Sequence, residues 1–241
     1  MPVLKVFKRP FLKAPGTPLI LPISQQIKAW RKANRKMAWD IPGEEFAAIP
    51  VPPLLTDEDR IRGFSGVALF YGFGDNGFGN ADPVGSAKAA WEYARTYKKK
   101  NLWQCEYIDF ERTADIRLRP GAPPRPRGFY LAKMHLGENT LPLTVSQVRK
   151  GLGQGDTGFG PEGLQLLAVT HRYFQGLMNE KKMPFMALAD YDVAPYGYED
   201  FYDAPQIFHS IGVLGLGIGH VDRNYPLFGI PFLRFIPGKA E

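Results

Sequence analysis

Residues 72–79 read GFGDNGFG, and residues 153–160 read GQGDTGFG. Both follow the form G-x-G-D-x-G-F-G, with Asp75 and Asp156 in matching places 81 residues apart. The offset persists beyond the loops, because Asp109 falls on Asp190 and Glu111 on Asp192. Each copy reads as a Gly-loop, a helical run, a basic turn, a strand-like run and a carboxylate pair. Segments 64–112 and 145–193 can therefore be read as an internal duplication. Against this, identities outside the loops are few. The apolar strand that precedes the first loop is also replaced by a polar, helical run before the second.

Two loop–helix–strand units imply strands joined across a helix, hence a sheet that is parallel in part. The rest of the chain is irregular and rich in proline. The expected fold is α+β: a mixed, partly parallel sheet forming one globular domain over 57–241. Residues 1–56 are expected to form a basic, Pro-rich arm and an amphipathic helix.

Within that frame, Gly66–Tyr71 reads as a buried strand running into the first loop. Asp82 and Pro83 open a helix that ends near Lys98, since proline suits the first helical position. Leu102–Phe110 and Phe129–Leu136 are strand-like. Thr144 can cap a short helix to Leu152, and Pro161 opens what reads as the longest helix. Met183–Ala189 follows as a strand, then an acidic aromatic loop over 191–203, then short strands from Ile211 to Phe235.

The chain has 241 residues, 44% of them hydrophobic and 13% aromatic, which is the composition of a packed globule. A single cysteine, Cys105, excludes an internal disulfide and a Cys-rich zinc site. No run approaches the roughly 20 apolar residues needed to span a bilayer, and the N-terminus lacks a continuous apolar signal core. A soluble, cytoplasmic protein is the expectation.

The formal charge of +6 is unevenly placed. Residues 1–39 hold nine Lys or Arg and no acid, leaving 21 of the 30 basic residues against all 24 acidic ones. Prolines 2, 10, 15, 18 and 22 keep the first 23 residues from forming a continuous helix. A helix from Ser24 to about Trp39 follows, with Lys28, Arg31, Lys32, Arg35 and Lys36 around a narrow apolar face. Together with Arg125 and Arg127 in the Arg-Pro loop 117–127, these are the candidate phosphate-binding residues. They point to nucleic acid or an acidic protein as partner through residues 1–39. The alternative is that Trp30 and Trp39 anchor the helix while its cations are merely solvated.

Both loops also contain G-x-G-x-x-G, at Gly72, Gly74, Gly77 and at Gly153, Gly155, Gly158. A dinucleotide reading fails on Asp75 and Asp156, whose charge opposes a phosphate, and on the missing acid roughly 20 residues further on. The carboxylates carry more chemistry. Asp109 with Glu111, and Asp190 with Asp192, lie at i and i+2 next to strand ends, and Asp75 and Asp156 can approach from the loops. Hard oxygen ligands of this kind take a divalent cation such as Mg2+, and with neighbouring Arg and Lys they suit metal-dependent phosphodiester hydrolysis. The plainer reading has these acids capping loops or pairing with Arg112, Arg117 or Lys133. A nucleophile elbow is excluded because Gly63-Phe64-Ser65-Gly66-Val67 has Val67 where the second glycine of G-x-S-x-G is required. His171, on an apolar helix face, reads as a hydrogen-bonded core histidine. The sequence thus supports a nucleic-acid- or phosphate-associated protein with metal-dependent hydrolysis as its enzymatic form. The alternative is a non-catalytic assembly or protein-interaction protein.

Overall fold

Helix α1 (Ile23–Met37) buries Gln26, Trp30 and Ala33 on one face and exposes Lys28, Arg31, Lys32, Arg35 and Lys36. It is the first element of the computed structural model, which describes residues 20–74, 77, 79–98, 101–110, 116–141, 143–180, 183–194 and 201–237. The N-cap is Pro22 rather than the expected Ser24, and no side chain caps this end. Proline's fixed φ already starts the first turn. Ala38 and Asp40 adopt left-handed conformations, φ 50° and 56°, and end the helix. Asn34 clamps the turn, donating to the Ile41 carbonyl at 3.0 Å and accepting from the Ile41 amide at 3.1 Å. This sets α2 (Gly43–Ala47) against α1, with Phe46 buried on Phe129 at a ring distance of 4.8 Å. Helix α3 (Asp57–Ile61) is fixed by a capping box between Thr56 and Asp59.

Strand β1 (Gly66–Gly72) leads through the first Gly-loop to α4 (Pro83–Lys98), whose first turn is held by Asp82 Oδ1 accepting from the Val84 amide at 2.9 Å. Strand β2 (Leu102–Gln104) is shorter than expected, because a turn begins at Glu106. Next come β3 (Ile116–Leu118), β4 (Gly128–His135) and α5 (Val145–Gly151), the last capped by Thr144 and Gln147. The second Gly-loop is itself a strand, β5 (Asp156–Gly158). The expected long helix is broken into α6 (Pro161–Gln165), a π turn (Leu166–Thr170) and α7 (Phe174–Asn179). The chain closes with β6 (Phe185–Ala187), β7 (Tyr191–Val193), β8 (Asp203–Ser210), β9 (Val213–His220), β10 (Phe228–Gly229) and β11 (Phe232–Phe235).

Two sheets result, and the architecture is α+β. One sheet is antiparallel in the order β1-β4-β11-β5. The other is mixed and centres on the β8–β9 hairpin, with β2 parallel beside β9. Strands β6 and β7 lie along the other edge of β8, and β10 pairs parallel with β6. The two Gly-loops therefore occupy different settings, one leaving β1 and the other forming β5 at the opposite edge of the same sheet. Trp30, Ala33, Ile41 and Phe46 share one core with β1, α4 and the π turn, so α1 and α2 pack into the body that begins at residue 57. Among the described residues, no helix is long and apolar enough to cross a membrane.

The open edge of β1 shows how the helices bind the sheet. Gln26 donates to the Val67 carbonyl at 3.1 Å and accepts from the Leu69 amide at 2.8 Å. Trp30 Nε1 donates to the Leu69 carbonyl at 3.1 Å. Gln165 accepts from the Tyr71 amide at 3.0 Å and donates to its carbonyl at 2.7 Å. Ser86 accepts from the Phe73 amide at 2.9 Å. Side chains thus do what another strand would do, and the edge is covered. Gln165→Leu is expected to cost about 2–4 kcal/mol, because two buried backbone groups are left without partners. A urea unfolding curve will read the shift, and an unchanged midpoint would show that the edge is not closed this way.

Candidate functional site

Three of the carboxylates singled out in the sequence, Asp156, Asp190 and Asp192, are placed here by arginines. Asp190, fully buried between β6 and β7, accepts from Arg119 Nε at 3.0 Å, Arg125 at 3.0 Å, the Gly158 amide at 3.0 Å and the Thr157 hydroxyl. The chain comes close enough only because residue 158 is glycine: a Cβ there would lie 2.7 Å from Ala189 Cβ and 2.9 Å from the Asp190 amide nitrogen. Arg125 is itself buried and also donates to Glu162 at 2.8 and 3.3 Å. Glu162 accepts in addition from Tyr130 at 2.9 Å and from the Gly160 amide at 2.7 Å. Asp192 pairs with Arg149 at 2.8 Å, and Arg149 also caps the carbonyls of Ala189 and Tyr191. Three cations thus face three anions around β5, joining one sheet to the other.

Electrostatics follow from burial. Desolvation by itself would lower the Arg125 pKa, but Glu162 and Asp190 more than offset it and hold the guanidinium charged. Burial, and then the Glu162 charge, pushes Tyr130 and Tyr191 well above the ordinary phenol range. These phenols stay protonated and act as donors.

Asp156, on β5, has its side chain buried between Arg62 and Arg234, the second at 2.9 Å. The expected metal ligands Asp156, Asp190 and Asp192 therefore each face arginine, for the physical reason that a buried carboxylate needs a compensating charge. Asp109 is half-buried after β2, and Asp75 and Glu111 lie outside the described residues. Among the described residues, no group of three or more His, Cys, Asp or Glu is placed to hold a metal ion. Of the pairing partners expected, Arg112 lies outside the described residues. Lys133 binds Asp59 at 2.7 Å, and Arg117 lies 3.5 Å over the Phe201 ring. Burial alone would raise the Asp59 pKa, yet Lys133 and Thr56 hold it down at about 2.

The candidate phosphate-binding residues divide into three settings. Arg125 is removed from solvent by the network just described, which corrects its expected role. Lys28, Arg31 and Arg35 line a cavity of 380 Å3 whose other walls include Ile41 and Phe46, with Lys32 and Lys36 exposed on the same helix. The Arg31 guanidinium lies 5.1 Å from the Phe46 ring centroid. Arg127 lines a second cavity, of 420 Å3, on the other side of α2. Glu45, Tyr71, Phe129 and the glycines at 72, 74 and 128 share that cavity, so the first Gly-loop borders it. Tyr71 donates to Glu45 Oε1 at 3.2 Å, and burial, reinforced by Glu45, pushes the phenol up to about 12.

Comparison with protein-family models, with curated proteins and with solved structures returned no match. The site is therefore read from its own chemistry. Glu45 and Glu162 do not stand out in the sequence, since neither lies in a repeated pattern. The one signal for Glu162 is its place at the second helical position after Pro161, where an acid suits the helix N-terminus. His171 is the core histidine expected. It accepts from the Leu21 amide at 2.9 Å through Nε2 and contacts Thr170 Oγ1 through Nδ1 at 2.8 Å. Cys105 follows β2 and donates its amide to the Leu216 carbonyl.

Proposed function

We propose that this protein binds a phosphate-bearing polymer, nucleic acid in the first instance, along the exposed face of α1. One observation carries the reading: five cations, at 28, 31, 32, 35 and 36, stand exposed on a helix without an acid, and three of them line one cavity. Trp30 and Gln26 lock the helix to β1, so the backbone that carries these charges needs no ordering on binding. The arrangement favours backbone contact over base reading, because lysine and arginine on a helix surface meet phosphates first. Metal-dependent hydrolysis is not part of the proposal, given the arginine partners of Asp156, Asp190 and Asp192.

The test is a salt series. Lys28→Gln, Arg31→Gln and Arg35→Gln together are expected to weaken binding to single- or double-stranded DNA. They should also flatten the slope of log K against log salt by about 2–3, close to one for each phosphate no longer neutralised. An unchanged slope in the folded triple variant rejects the α1 face.

A second reading, a protein-interaction module, is favoured by the outer face of the mixed sheet. The register sets Trp103, Gly215 and Phe208 side by side, then Phe185 and Phe228. Ring centroids along this row lie 5.7, 6.0 and 5.2 Å apart. Trp103 is 47% exposed at one end, and Leu227 is 53% exposed near the other. On this reading the salt slope stays fixed, while Trp103→Ser changes self-association or partner binding in sedimentation.

A further inference from the structure

We propose that the cavity between α2 and the end of the β1–β4 pair is a pocket for a single nucleotide. Its base would sit against Phe129, with its N–H edge on Glu45 and its phosphate on Arg127. The inference deepens the phosphate-binding reading of α1 and rests on it for the source of the ligand, a strand bound along that helix. The connection is α2 itself. Gly43 and Phe46 line the basic cavity on one side, and Glu45 and Ala48 line this one on the other. A chain tracking the α1 cations reaches the second cavity by crossing one short helix.

Size and chemistry select the ligand class. A volume of 420 Å3 lies within the range of small-molecule sites and exceeds what a lone phosphate needs. The apolar wall is aromatic, since Phe129 packs against Tyr71 at 4.8 Å and Phe46 at 4.8 Å, which fixes its ring for stacking. Opposite signs meet in one small space: Glu45 offers only acceptors, and Arg127 only donors. Tyr71 occupies Glu45 Oε1 and orients the carboxylate. Gly128 makes room for its other oxygen: it has φ +69°, and a Cβ there would lie 2.9 Å from Glu45 Oε2. Each carboxylate oxygen has two lone-pair sites, so Oε1 keeps one beside its Tyr71 bond, and the two oxygens suit a base edge with two neighbouring N–H donors, which guanine has and uracil lacks. The guanidinium suits a phosphate.

Calorimetric titration of the full chain with guanosine 5′-monophosphate, uridine 5′-monophosphate and inorganic phosphate tests the pocket. Guanosine monophosphate is expected to bind saturably, about tenfold or more tighter than uridine monophosphate, as one carboxylate–base pairing implies. Glu45→Gln should erase the preference, and Arg127→Gln should weaken both nucleotides by about tenfold, the effect of removing one charge-assisted hydrogen bond. The triple α1 variant should bind the mononucleotide as the parent does. Near-UV dichroism shows whether Glu45→Gln keeps its fold, and the exposed Arg127→Gln carries the test if it does not. The proposal is overturned if the folded parent shows no saturable binding at millimolar nucleotide. Equal binding of the three probes, insensitive to Glu45, overturns it as well. Loss of polymer binding in the α1 variant alone, with the pocket silent to nucleotides, would leave the α1 reading standing and remove this one.

Discussion

Asp190→Ala is expected to lower stability by about 3–5 kcal/mol, the cost of leaving buried charge uncompensated. The carboxylate faces Arg125, which is buried, and Arg119, whose side chain is 19% exposed. Its removal also strips partners from the Thr157 hydroxyl and the Gly158 amide, both buried. Arg125 would keep Glu162 and the Pro123 and Gly158 carbonyls as acceptors but lose the second carboxylate that balances its buried charge. Since domains are stable by only about 5–15 kcal/mol, a loss of this size is large. Asp190→Asn should cost less, because its amide oxygen can still accept from the Gly158 amide. Urea unfolding followed by fluorescence would measure both. An alanine variant that unfolds at the parent midpoint would mean that the arginines do not hold this carboxylate.

Acidification is the second large effect. His135 and His171 are buried, and each accepts a backbone amide through a ring nitrogen: Gly137 at 3.0 Å to His135 Nδ1, and Leu21 at 2.9 Å to His171 Nε2. Protonation would destroy both bonds, and burial lowers the two pKa values from 6.5 to about 4 and about 3. Below pH 6.5 the unfolded chain takes up protons that the folded chain refuses. Stability is therefore full above about 6.5 and falls with pH until each folded pKa is passed. Between pH 6.5 and 4.5 the two imidazoles together should cost about 5 kcal/mol. Burial and Lys98 lower His209 as well, which acts in the same direction. Thermal unfolding across that range is the measurement, and His171→Gln should roughly halve the slope. Equal midpoints at pH 7 and pH 5 would show that both rings titrate as they do in the unfolded chain.

Much of the local structure can be read from the residues. Asp82-Pro83 and Thr144 mark helix starts because capping acts within four residues and needs no distant partner. Gly66–Gly72 is legible as a strand because its apolar run ends in glycine. The exposed cations of α1 are visible as a charge pattern. The second Gly-loop is different, for in sequence it has the look of an entrance to a long helix. Its glycines serve instead to bring β5 against Asp190, a contact 32 residues away along the chain. The cavity around Glu45 is invisible at that level, because it assembles α2, β1 and β4.

By itself, the sequence determined the caps, the apolar strand β1, the acid-free helix α1 and the α+β class. Each of these depends on neighbours a few residues apart. Only the tertiary structure decided what the second Asp-bearing loop is for. A carboxylate's role depends on the charge that faces it, and here Arg62, Arg119, Arg125, Arg149 and Arg234 come from distant parts of the chain. The same aspartates could have held a metal had acids or waters faced them. Buried against guanidinium groups, Asp156 ties β5 to Arg62 and to Arg234 on β11, and Asp190 ties β5 to the second sheet.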